Sequence, residues 1–225
     1  RKYKVSIDFH KFIRIEGVKA VDFRKDRIAI LDHTAVIFTS RNAVDHFFRL
    51  SKEMRAEIPD TMKYFCVSEA IAFYLQKYVQ YRKRKIFYGR QNFDQLLEII
   101  VKHKSEYFLL PSSDVSEKDL SVVLDENNIK HSKAVMYQTV ANDLSDVDID
   151  KYDLLVLFSP SGVKSLVSNF PNYKQGEALI SAFGPSTCKA VEEAGLKLSI
   201  KAPTKTAPSM TMALEQYIET LMKAK

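Results

Sequence analysis

Three stretches of this sequence end an apolar run in a small residue and pass directly into helix-like sequence. They are Val36-Ile37-Phe38-Thr39-Ser40, Leu155-Val156-Leu157-Phe158-Ser159, and Ser181-Ala182-Phe183-Gly184 followed by Pro185-Ser186-Thr187. A serine at the start of a helix accepts one of its unpaired first-turn amides. The remaining N–H groups and the positive end of the helix dipole then face whatever lies beyond the strand end, an arrangement that holds carboxylates or phosphates. Any single instance is explained by capping alone. Recurrence at Ser40, at Ser159 and at Ser186-Thr187 points to a shared anion-binding cleft. Gly184-Pro185-Ser186-Thr187 is the sharpest of the three, because glycine lets a ligand approach the backbone and proline at the first helical position pre-sets the helix.

Other chemistries find little support. Neither G-x-G-x-x-G nor G-x-x-x-x-G-K-[ST] occurs, so no nucleotide cofactor is expected. The serine of Phe158-Ser159-Pro160-Ser161-Gly162 lacks the G-x-S-x-G spacing of a nucleophile elbow. His10, His33, His46, His103 and His131 stand singly, at no spacing that marks a metal pair or a triad. Cys66 and Cys188 have no partners at metal spacing, so neither a disulfide framework nor a zinc site is expected. The reading is therefore of a protein without cofactor or metal, in the reducing cytoplasm. No run is apolar enough for a membrane span, and no signal peptide opens the sequence. The formal charge of +6 favours an anionic partner. Tyr81-Arg82-Lys83-Arg84-Lys85 is the densest basic run, but without a docking motif it reads as a solvated edge rather than a nucleic-acid surface.

Short apolar runs alternate with amphipathic segments along all 225 residues, which argues for an α/β protein with largely parallel sheets. Core strands are expected at 35–39, 64–67, 107–110, 154–158 and 178–182. An internal repeat organises them: residues 36–44 correspond to 155–163, and 65–72 correspond to 181–188 in the same order. Two extended segments, Phe12-Ile13-Arg14-Ile15-Glu16-Gly17-Val18 and Lys133-Ala134-Val135-Met136-Tyr137-Gln138-Thr139-Val140, flank the first copy. They are expected to form a two-stranded β connector between two similar parallel-sheet α/β domains. The first domain is then discontinuous, built from 1–14 and 142–225, the second spans 30–131, and 12–29 and 132–141 connect them. Tyrosines in strands usually serve the core. Tyr137 stands out because it lies on the connector.

Ile37-Phe38-Thr39-Ser40 with Asn42-Ala43-Val44, Tyr137-Gln138-Thr139-Val140, Phe158-Ser159-Pro160-Ser161-Gly162, and Gly184-Pro185-Ser186-Thr187 with Ala194-Gly195-Leu196 occur in the order seen in uroporphyrinogen-III synthases. The chain resembles that family over nearly its whole length. Its Lys-rich middle and the closing Ala202-Pro203-Thr204 and Ala207-Pro208-Ser209-Met210 are most similar to versions from the Bacteroidetes group of bacteria. The resemblance implies two lobes joined by a connector, with the first lobe's opening strand expected to be lacking from the sequence as given. It also implies a monomeric lyase with neither nucleic acid nor membrane as partner. The implied substrate is hydroxymethylbilane, a linear tetrapyrrole with eight carboxylates. Loss of its hydroxyl leaves an azafulvene, and closure through a spiro intermediate inverts ring D. Tyr137 matches the family's functional tyrosine, proposed to assist departure of the hydroxyl. Ser159, Ser161, Gly162, Gly184, Ser186 and Thr187 fall where hydroxyls and amides meet substrate carboxylates. Ser40 holds the equivalent strand end of the other lobe, and Ser68 stands where many members carry glycine. The alternative is a two-lobed, non-catalytic binding protein for a small polyanion.

Overall fold

The computed structural model describes residues 3–90, 93–115 and 120–223. The chain forms two compact units, one of Arg1–Arg14 with Val140–Lys225 and one of Ile15–Thr139. The first is thus discontinuous in sequence. The chain passes between the units twice, once within strand β1 (Ile13–Gly17) and once within strand β6 (His131–Ala141).

The continuous unit is built on a six-stranded sheet in the order β1-β6-β5-β2-β3-β4. Its remaining strands are β2 (Ala35–Phe38), β3 (Lys63–Cys66), β4 (Ile86–Tyr88) and β5 (Phe108–Ser113). The pairs β4/β3, β3/β2, β2/β5 and β5/β6 are parallel. Parallel strands buried on both faces require continuous apolar runs, and Ala35-Val36-Ile37-Phe38 is buried at every position. Its side chains alternate between two cores. Val36 and Phe38 join Phe47, Leu50, Tyr64 and Cys66 on one face, while Ala35 and Ile37 join Phe65, Leu96, Ile100 and Phe108 on the other. Between β1 and β2 lie helix α1 (Ala20–Phe23) and two 3-10 turns. The extended part of the 12–29 segment is limited to β1, which neighbours β6 at the edge of this unit's sheet, and both strands cross between the units.

Helix α2 (Arg41–Glu53) follows β2 and presents Ala43, Val44, Phe47, Leu50 and Ser51 to the first core, the i, i+4, i+7, i+8 stripe of a surface helix. Helix α3 (Glu69–Leu75) follows β3, α4 (Phe93–Lys102) follows β4, and α5 (Leu120–Glu126) lies between β5 and β6.

The discontinuous unit holds a parallel three-stranded sheet, β7 (Leu154–Leu157), β8 (Leu179–Phe183) and β9 (Ile200–Ala202), in that order. Helix α6 (Pro160–Asn169) follows β7, α7 (Pro185–Glu193) follows β8, and α8 (Met210–Lys223) follows β9. Leu155, Leu157, Ile180 and Ala182 join Val163, Leu166 and Val191 on one face; Ile200, Ala202, Met210 and Ala213 form the core on the other. Residues 3–12 carry no regular structure but are tied to this unit, since the amide of Asn142 and the hydroxyl of Ser165 both donate to the carbonyl of Phe12.

Candidate functional site

In each unit the parallel strands end on one edge, and the turns into the following helices gather there. In the continuous unit, β2 ends at Phe38 and Ser40 starts α2. Its Oγ accepts the amide of Ala43 at 3.0 Å, leaving the first-turn amides of Arg41 and Asn42 without intrahelical acceptors. The same Oγ lies 3.1 Å from the hydroxyl of Tyr137. Tyr137 is on β6, opposite Ser113 at the end of β5, and is only 7% exposed. Its backbone carbonyl accepts the amide of Asp114, whose carboxylate accepts the amide of Thr139 and the hydroxyl of Ser113. The Tyr137 ring is stacked on that of His46, centroid to centroid 5.2 Å. Arg49, one turn further along α2, donates to Nδ1 of His46. Burial, with the Arg49 charge in support, holds the His46 imidazole below its ordinary pKa. The ring is therefore neutral, with Nδ1 as acceptor.

Ser68 opens α3 at the end of the neighbouring β3. Its backbone is extended, but its side chain does not cap the helix. Ser40 and Ser68 thus stand at adjacent strand ends, with Tyr137 beside the first.

The discontinuous unit repeats the device. Ser159 Oγ accepts the amide of Gly162 at 3.1 Å and caps α6, with Pro160 as its first residue. Gly162 is buried and spends its amide on this cap, and a Cβ there would meet only Ser159 Oγ, at 3.4 Å. Ser161 is half-buried in the same turn. At the next strand end Gly184 adopts φ 90° and ψ 148°, a backbone shape that side-chain-bearing residues avoid, and its amide donates to the carbonyl of Ala202. With glycine at the cap, no side chain covers the amides of Ser186 and Thr187. The Ser186 side chain is exposed, whereas Thr187 is buried, 1% exposed. Phe158, 64% exposed, sits between these turns with its ring 6.2 Å from Phe183. At the opposite ends of β7 and β8 a cavity is lined by Asp150, Asp153, Glu177 and Lys174. Its acidic lining is unsuited to a polyanion.

The comparison with known proteins falls on this arrangement. The family model described as uroporphyrinogen-III synthase HemD matches residues 9–212. The chain belongs to the uroporphyrinogen-III synthase family. The synthase structure from Helicobacter pylori 26695 shares the fold at a TM-score of 0.58 and 19% identity, covering 93% of this chain and 91% of its own. A mutant synthase from the extremely thermophilic bacterium Thermus thermophilus matches at 15% identity and a TM-score of 0.46, over 94% of this chain and 88% of its own. Comparison with curated proteins gives no match. As a family member the chain is an enzyme of tetrapyrrole synthesis, a cyclase of the haem pathway. Among the described residues no helix is long and apolar enough to cross a membrane, and no group of three or more His, Cys, Asp or Glu residues is placed to hold a metal ion.

The synthase residues singled out in the sequence fall at the strand-end edge of their own units: Ser40, Ser68 and Tyr137 in one, Ser159, Ser161, Gly162, Gly184, Ser186 and Thr187 in the other. His46, Arg49 and Asp114 were missed. A solitary histidine carries no motif, yet His46, Arg49 and Glu53 share one face of α2 at i, i+3 and i+7, and Glu53 accepts from Arg49 at 2.7 Å. That spacing was legible. Its target on β6 was not.

Proposed function

We propose that this synthase is a cofactor-free lyase that converts hydroxymethylbilane to uroporphyrinogen III and water, with Tyr137 assisting departure of the hydroxyl. The observation that carries the reading is the bond between Tyr137 and Ser40. Ser40 Oγ already accepts the Ala43 amide, so its own proton is available to the Tyr137 oxygen. The phenol O–H is then free to hydrogen-bond the departing substrate hydroxyl, keeping its own proton throughout. As the C–O bond breaks, the pyrrole nitrogen supplies the electron pair and its proton leaves with the hydroxide as water, giving the azafulvene. Attack by the substituted carbon of ring D, fragmentation of the spiro intermediate and reclosure then need a folded substrate more than strong acid or base groups.

The same reading assigns the amides at the starts of α6 and α7 to the substrate's carboxylates, for which helix N-termini and the net charge of +6 are suited. Ser186, exposed beside uncovered amides, is the hydroxyl best placed for such a contact. A reducing compartment such as the cytoplasm suits the two free cysteines.

The full chain, given enzymatically generated hydroxymethylbilane, is expected to yield the type III isomer on chromatographic separation. Formation of only the spontaneous type I product refutes the assignment and leaves a binding protein. Within the enzyme, Tyr137→Phe is expected to lower kcat by about 10²-fold, the lower end of what a positioned proton donor contributes. Unchanged turnover removes the role given to Tyr137.

A further inference from the structure

From the face of α2 that meets β6, we infer that His46 and Arg49 are positioning residues that fix the Tyr137 phenol in the orientation used for the reaction. The inference rests on the role proposed for Tyr137.

Arg49 makes four bonds at once. Its Nη1 meets Glu53 Oε1 at 2.7 Å, its Nε meets His46 Nδ1 at 3.1 Å, and its Nη2 reaches the carbonyls of Val18 at 2.8 Å and Met136 at 3.3 Å. The amide of Val18 also donates to the carbonyl of Met136. The guanidinium therefore clamps the two connector strands together at the residue immediately before Tyr137. Room for it is provided by Gly17, where any Cβ would lie 2.7 Å from the guanidinium atoms. Arg49 also orients His46. With Nδ1 accepting from Arg49, the imidazole plane is fixed, and that plane lies at 18° to the Tyr137 ring. A phenol on a strand swings chiefly about its χ angles, and a stacked neighbour removes that freedom. The result is a ring held from its face by His46, from its backbone by Arg49, and at its oxygen by Ser40.

Steady-state kinetics of the whole enzyme on hydroxymethylbilane test this. His46→Ala is expected to lower kcat about tenfold, the scale of a lost aromatic pair, with KM unchanged. His46→Phe, which keeps a ring in the stack, is expected to recover most of the loss. Placed on Tyr137→Phe, His46→Ala is expected to cost nothing more, because the hydroxyl it positions is gone. Arg49→Lys, which keeps the charge but loses the planar fork, is expected to behave like His46→Ala. Three results overturn the inference: wild-type kcat in His46→Ala where Tyr137→Phe is slow, a loss confined to KM, or a full additional loss on the Tyr137→Phe background. Wild-type kcat in Tyr137→Phe overturns the underlying reading as well, and that variant alone separates the two failures.

Discussion

The Ser40–Tyr137 bond predicts a thermodynamic coupling that is measurable without substrate. Ser40 Oγ has two partners, the Ala43 amide at 3.0 Å and the Tyr137 hydroxyl at 3.1 Å. Losing a serine cap costs about 1 kcal/mol, and losing one further hydrogen bond between partly buried hydroxyls costs about the same. Ser40→Ala is therefore expected to destabilise the protein by about 2 kcal/mol and Tyr137→Phe by about 1 kcal/mol. The double variant is expected to cost about 2 kcal/mol rather than about 3 kcal/mol, a coupling of about 1 kcal/mol, because the shared bond is counted once. Ser159→Ala provides the control. It removes a cap of the same geometry, 3.1 Å to Gly162, and is expected to cost only about 1 kcal/mol. Urea denaturation followed by far-UV circular dichroism measures all four, since the chain contains no tryptophan to follow by fluorescence. Two units need not unfold together, so amide exchange at Ala43 serves as the local probe. Additivity of Ser40→Ala and Tyr137→Phe within about 0.3 kcal/mol refutes the bond as described.

Stability is expected to fall in mild acid. His33 is 2% exposed, bonds Ala29 through Nδ1 and leaves Nε2 buried without a partner, so burial holds its pKa below the ordinary value. Unfolded chains take up the proton near pH 6.5 while the folded one resists, so stability is steady above about that pH and declines below it until the lower folded value is reached. His46 acts in the same direction. His33→Phe, keeping a ring against Tyr107, is expected to flatten the denaturation midpoint against pH; an unchanged slope refutes the assignment. The two strand-end glycines are expected to respond oppositely to alanine. Gly184→Ala costs about 1–3 kcal/mol for its backbone shape alone, since nothing lies within 4 Å of the added Cβ. Gly162→Ala is neutral or stabilising by up to about 1 kcal/mol, because its Cβ meets only Ser159 Oγ at 3.4 Å and alanine favours the helix. Thermal denaturation reads both, and equal effects refute the distinction. Charge reversal across Arg82–Lys85 is expected to leave synthase turnover intact, as Arg82, Lys83 and Arg84 form an exposed turn leading to the edge strand β4. A loss with the fold preserved places the substrate on that edge.

Much of the fold was readable because parallel strands advertise themselves. Ala35-Val36-Ile37-Phe38 has no polar face to confuse its period, and its repeat partner Leu154-Leu155-Val156-Leu157 ends in the same capping serine. Strand ends were less legible. The stretch expected at 107–110 runs on to Ser113, since Pro111 and Ser112 are buried against β6 and remain in the ladder despite residues that usually end strands. In the sequence, residues 19–29 fall in the connector with no predicted structure of their own, and there the amides of Asp22 and Phe23 turn back to Lys19 and make a short helix. At the site, capping serines were visible because a cap is local. Whether a hydroxyl faces outward is not local: Ser186 and Thr187 are neighbours, yet the first is exposed and the second buried. The His46 stack depends on strand β6 arriving beside a helix far earlier in the chain, which no short pattern encodes.

The continuous unit lies wholly inside the discontinuous one along the chain, and synthesis on the ribosome is directional. The six-stranded sheet is complete in sequence once β6 has emerged, so that unit has every strand it needs while Val140–Lys225 is still being made. At roughly 5–20 residues per second that interval is on the order of ten seconds, ample for a domain to fold. Residues 3–12 must wait throughout, because Ser165 and Asn142, which receive Phe12, lie beyond the completed sheet. Nascent chains are thus expected to carry a folded middle while residues 3–12, whose Val5, Ile7 and Phe9 stay solvent-exposed even in the finished protein, still lack their partners. During that interval residues 3–12 are the stretch open to a holdase.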